Sequence, residues 1–202
     1  MQVTQGVPDR SVTATARRAQ IVRATIAVIA EEGYRQASFA RIAERAGLSS
    51  TRLISYHFAG KDDLVAAVVH EVVDAMGTWV GQRVTAQPAP RQMLRAYVEG
   101  VVTYTARHRD ELVALLQILT AGGFPPSVRV QAAAPEHVER ILLEGQRTGA
   151  FRAFDVSVMA MAVQRAVEGV AFAVHVDRDL DVDGYAGELA TLFDLATRRE
   201  GP

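Results

Sequence analysis

No cysteine occurs among the 202 residues. That absence excludes disulfides, thiolate metal sites and a cysteine nucleophile, and it fits a cytoplasmic location. The N-terminus lacks the apolar h-region of a secretory signal. No stretch alternates apolar and polar residues long enough to propose a strand, and there is neither an internal repeat nor a low-complexity tract. Catalytic signatures are missing as well: no glycine-rich phosphate loop and no nucleophile elbow occur, and Asp74 stands where a second zinc-binding histidine would follow His70-Glu71. Starting a calcium loop at Asp179 gives acids at positions 1, 3 and 5 and glycine at 6, but position 12 is Ala190 instead of a bidentate Glu. The plainer account of that stretch is a solvated acidic connection that caps the last helix. We expect no catalytic residue, no metal site and no cofactor.

What the chain does have is apolar substance and a lopsided charge. Hydrophobic residues make up 49% of it, enough for a sizeable core. Residues 156–176 are the most apolar stretch and about long enough to span a bilayer. Gln164, Arg165 and Glu168 sit mid-segment, however, and a central Arg costs roughly 3 kcal/mol to insert. A buried helix is expected there, with no membrane partner. The formal net charge of −1 hides an asymmetry. Residues 1–61 hold nine Lys/Arg against four Asp/Glu, and the remainder holds 13 against 19. A basic front end on an acidic body is the electrostatic footprint of a DNA-facing domain joined to a regulatory one.

The stretch from Ser38 to Leu64 carries the most information. Ser38 is a good N-cap, and Phe39, Ile42, Ala43 and Ala46 recur at helical spacing. Gly47 stops that helix where a left-handed residue is needed. Ser49 or Ser50 can cap a second helix, whose apolar face is Leu53, Ile54 and Phe58. Between the apolar positions lie Arg41, Ser50, Thr51, Arg52, Ser55, Tyr56, His57 and Lys61. A short helix with one buried face and an arginine-bearing, hydroxyl-rich outer face suits the DNA major groove. These two helices form a helix-turn-helix. Arg52 and Thr51 are the candidates for base edges, because Arg favours guanine and Thr can touch a thymine methyl. Tyr56, His57, Lys61 and Arg41 are the candidates for phosphates, which set register more than sequence preference; for His57 the alternative is a helix cap.

Ile42-Ala43, Ala46-Gly47, Ser49-Ser50, Ile54, His57-Phe58 and Lys61-Asp62-Asp63-Leu64 together resemble the TetR family of transcriptional regulators. The resemblance covers about residues 17–77 and is architectural beyond that. Between Gly47 and His57-Phe58 the chain carries one residue more than the common pattern, so Arg52 falls where the family often has glycine.

The resemblance implies an all-α protein of about nine helices. A three-helix DNA-binding domain would precede a larger helical domain for ligand binding and dimerisation. We expect a mobile arm at 1–14, the DNA-binding domain at 15–77 and the larger domain at 78–202. The first helix should run from about Thr15 to Glu32 and a linking helix from Asp62 to about Val84. Further helices are expected at about 91–108, 111–121, 135–148, 156–176 and 184–199, with Pro135 interrupting any helix before it.

On the helix at 91–108, Met93, Tyr97, Val101, Tyr104 and His108 share one face. Core packing explains such a stripe. The family's C-terminal ligand cavity gives it a second reading, in which Gln117, Phe124, Phe172 and His175 would join from other helices and Trp79 would sense the ligand. The last two helices carry surplus apolar surface that a twofold axis would bury as a four-helix dimer interface. The expectation is a homodimeric repressor that binds double-stranded palindromic operator DNA and is released by a small, mostly hydrophobic effector. The alternatives are a DNA-binding adaptor without a ligand and a helical-bundle enzyme.

Overall fold

The computed structural model describes residues 10–123 and 133–199. Among these residues the chain forms nine α-helices and no strand: α1 Arg10–Glu32, α2 Phe39–Arg45, α3 Arg52–His57, α4 Lys61–Thr85, α5 Pro90–Arg107, α6 Arg109–Thr120, α7 Ala133–Arg147, α8 Val156–Val176 and α9 Val182–Thr197. The ends follow from local chemistry. Gly33 and Gly47 take φ of 101° and 63° after α1 and α2, a region open mainly to glycine. Pro90 opens α5, where its missing N–H would have had no helical partner. Asp155 caps α8 by accepting the Val158 N–H at 2.9 Å. Asp181 caps α9 by accepting the Gly184 N–H at 3.0 Å, the role expected of that acidic connection.

Helices α6 and α9 start two residues before the expected 111 and 184, and two other early starts have a clear local cause. The first helix starts at Arg10, so residues 10–14 of the expected arm are helical; residues 1–9 lie outside the described part. Once its apolar stripe is packed, extending a helix N-terminally costs little, and no Gly or Pro lies beyond Pro8 to stop it. Helix α7 starts at Ala133, two residues before the expected start at Pro135, which leaves Pro135 within its first turn. A first-turn proline removes no intrahelical hydrogen bond. The segment 124–132, including the expected Phe124-Pro125-Pro126 break, lies outside the described residues.

The described residues fall into two compact units, 10–71 with 113–123 and 72–112 with 133–199. Residues 113–120 of α6 fall in the first of these units. In that unit Ile21, Val22, Val28, Ile29, Ile42, Ile54, Phe58, Leu64 and Val68 are buried. In the other, α5 packs against α7, α8 and α9. Val98, Leu142, Val163 and Val167 lie at the centre of its core. A single antiparallel bridge between Phe151 and Arg198 ties the end of α9 to the connection before α8.

Helices α4 and α8 are long and apolar enough, by length and composition alone, to cross a bilayer. In α8 the mid-helix polar residues are paired on the helix itself: Arg165 with Glu168 at 2.5 Å, and Gln164 donating to Glu168 at 2.8 Å.

Candidate nucleic-acid interface

Helices α2 and α3 meet through the turn at residues 46–51. Ser38 Oγ accepts the Arg41 N–H at 3.4 Å, a long cap at the start of α2. Of the two serines that suited the next cap, Ser50 is the one used: its Oγ accepts the Arg52 N–H at 3.1 Å. Thr51 makes no side-chain cap.

Helix α3 is only six residues long, so its orientation depends on what it buries. Ile54 and Phe58, four apart, are both buried. The guanidinium of Arg18 covers the Phe58 ring at 4.7 Å. Arg52, Ser55 and Tyr56, at i, i+3 and i+4, lie on the opposite side and are exposed, Tyr56 at 81%. Tyr56 also meets His57 edge-on, with ring centroids 5.1 Å apart. His57 is the last residue of α3 and half-buried, and the C-cap is Phe58, whose N–H donates to Ile54.

Leu53, Arg41 and Lys61 have surroundings that the spacing alone did not indicate. Leu53 was expected on the buried face but is 37% exposed, because it sits a quarter-turn from Ile54 while Ile54 and Phe58 take the buried line. Arg41 pairs with Glu32 of α1, and its neighbour Arg45 pairs with Glu31. Exposed pairs like these are worth at most about 1 kcal/mol, so a phosphate can compete for either guanidinium. Lys61 opens α4 and donates to the Tyr34 carbonyl at 3.1 Å.

The residues expected around a ligand are only partly brought together. Met93, Tyr97, Val101 and Trp79 belong to the core of the second unit. Tyr97 donates to Gln164 Oε1 at 2.7 Å, and burial pushes its hydroxyl up to about 12, with the Glu168 charge adding to the effect. Tyr104 and His108 stack at 4.0 Å, and Trp79 meets both rings edge-on at 6.0 and 6.3 Å. Glu111, absent from the expected set, holds this group: Tyr104 donates to it at 2.7 Å, and His108 Nδ1 lies 3.0 Å away. Its spacing, seven after Tyr104 and three after His108, is the signal that would have found it. Arg83 lies 3.5 Å above the Trp79 ring, whose buried Nε1–H has no partner among the described residues.

Phe172 was expected at a pocket but is 58% exposed, since α8 buries Val163, Val167, Val170 and Val174 instead. Gln117 belongs to the N-terminal unit, where it accepts the Tyr34 N–H. Phe124 lies outside the described residues, as does the side chain of His175. Among the described residues no group of three or more His, Asp or Glu is placed to hold a metal ion.

Residues 21–68 match the family described as bacterial regulatory proteins, tetR family. The chain is 40% identical over 86 residues to the HTH-type transcriptional regulator BetI of Yersinia pestis, covering 42% of this chain and 43% of that protein. The chain thus matches less than half the length of this curated relative. Among solved structures, a tetR-family regulatory protein from Rhodococcus RHA1 superimposes with a TM-score of 0.75 at 21% identity, over 92% of this chain and 98% of that one. The fatty acid degradation regulator FadR from Bacillus halodurans gives 0.77 at 19% identity, over 88% and 94%. At these identities the likeness is one of fold.

Proposed function

We propose that this chain, whose residues 21–68 match the tetR family, is a transcriptional regulator that acts as a cytoplasmic homodimeric repressor, released from a palindromic operator by a small, mostly hydrophobic effector. The observation that carries the DNA half is the division of α3 into a buried Ile54–Phe58 line and an exposed Arg52–Ser55–Tyr56 face. A polar face on a helix anchored from behind is what enters a major groove. The relatives it matches bear the names of regulators, not enzymes.

Dimerisation is supported by one stripe on α8: Val158, Met161, Phe172 and Val176 recur every three or four residues through Arg165 and Gly169, and all four are exposed, Val176 at 84%. Leu192 and Leu195 add exposed apolar surface on α9. A second copy covering this surface accounts for it without a membrane.

The effector half rests on Trp79. A buried N–H without an acceptor costs about 1–3 kcal/mol, and a ligand carbonyl or carboxylate would satisfy it. To move the operator-bound population from 99:1 to 1:99, the effector must favour the released state by about 10⁴-fold, or 5.5 kcal/mol. One observation favours the adaptor reading: the hydroxyls of Tyr97 and Tyr104 are already satisfied within the fold.

The deciding experiment selects duplexes from a random-sequence pool with the purified protein and measures binding across a salt series. A selective complex of two protomers per site that weakens steeply with salt is expected. Binding indifferent to sequence overturns the reading.

A further inference from the structure

Lys61 is the only lysine in the chain, and the other 21 cationic side chains are arginines. Its ammonium donates to the Tyr34 carbonyl at 3.1 Å and sits 4.5 Å from the centroid of the Tyr34 ring. An ammonium has three N–H donors, and Tyr34 takes one. The group is thus held in place with donors left for an anion. Lys61 is half-buried and follows the last residue of α3 by four positions.

Tyr34 is held in turn from the other side. Its N–H donates to Gln117 Oε1 of α6 at 3.1 Å. The same oxygen lies 3.3 Å from where a Cβ on Gly33 would be, and Gly33 holds φ 101°. The Tyr34 ring fills the space beside Gly123, where an added Cβ would lie 2.5 Å from Tyr34 Cζ. All these residues belong to the N-terminal unit.

We propose that Gln117 is a positioning residue for DNA binding: it seats Tyr34, and Tyr34 presets the Lys61 ammonium as a phosphate anchor beside the recognition helix. The inference rests on the DNA-binding reading above. Lysine suits the position because a compact ammonium can share its donors between a carbonyl and a phosphate, whereas a planar guanidinium presents a rigid fork. Because the side chain is already ordered in the free protein, binding loses less rotamer freedom.

The test uses the full chain, a duplex selected by the wild type, and a random duplex, each across a salt series. Lys61→Met removes the ammonium and sets the reference. Gln117→Met removes the amide oxygen at nearly equal length, and Gln117→Glu keeps an acceptor. Both methionine variants should flatten the dependence of log K on log salt by about 0.9 per protomer and weaken both duplexes by the same factor. The double variant should match Lys61→Met, and Gln117→Glu should keep the wild-type slope. A purely structural glutamine would lower the melting temperature without changing the slope. The inference is overturned by a wild-type slope in Gln117→Met, or by a double variant flatter than Lys61→Met. Independently of any variant, bound duplex should protect Lys61 from amine acylation, read by peptide mass; undiminished labelling overturns the anchor. A wild type that selects no duplex overturns the DNA-binding reading itself, and this inference with it.

Discussion

Arg52 and Lys61 are both cations of the proposed DNA-binding region, and their surroundings differ. Arg52 stands on the exposed face of α3 and its backbone N–H is taken by Ser50, which leaves the guanidinium to reach outward. Arg52→Ala should therefore cost roughly 1–3 kcal/mol at one base pair of a selected duplex and little on random DNA. Uniform loss across sequences, measured by competition binding, would remove Arg52 from base reading. Tyr97 illustrates burial at the same scale. Its hydroxyl is raised from 10.0 to about 12, because the fold disfavours the phenolate. The unfolded chain releases that proton first, so the stabilisation is complete below pH 10 and is lost as pH climbs towards 12. Denaturant midpoints of the wild type should fall more steeply over that range than those of Tyr97→Phe. Parallel curves would mean that Tyr97 titrates normally.

Helices α8 and α9 bury one side within their unit and leave apolar residues exposed on the other. One side of α8 buries Val163, Val167, Val170 and Val174, while its outer stripe leaves Phe172 and Val176 in solvent. Phe172→Glu combined with Leu195→Glu should yield a folded monomer with weakened operator binding. Sedimentation equilibrium reads the first effect, and an unchanged dimer would exclude this face. Packing inside the unit is tighter. A Cβ on Gly145 of α7 would fall 1.9 Å from the Phe151 ring, next to the bridge that Phe151 makes with Arg198. Gly145→Ala must displace that ring, and overpacking of this kind typically costs about 1–3 kcal/mol. A thermal midpoint equal to that of the wild type would show that the ring moves freely.

For the whole molecule, regulation requires that an effector distinguish two states. Trp79 is the only tryptophan, so its emission reports one place. It lies among Tyr104, His108 and Arg83, and its N–H finds no acceptor among the described residues. Any compound that releases the selected duplex should change that emission over the same concentration range. Release with Trp79 emission unmoved would place the effector elsewhere.

The helices, and the division of α3 into a buried and an exposed side, were legible in the amino-acid order because their causes are local. Ser38, Gly47, Pro90 and Asp155 act on backbone groups within a few residues of themselves, and the spacing of Ile54 and Phe58 alone decides which side of α3 turns inward. The apolar stripe on α5 was legible only as a face, since periodicity orients a helix without naming what packs against it. Only tertiary structure decided that Phe172 turns outward, that Glu111 joins Tyr104 and His108, and that Gln117 serves Tyr34 across 83 positions. The physical reason is reach: caps and periodicity are fixed by near neighbours, whereas a side chain's partner depends on where distant helices bring their surfaces.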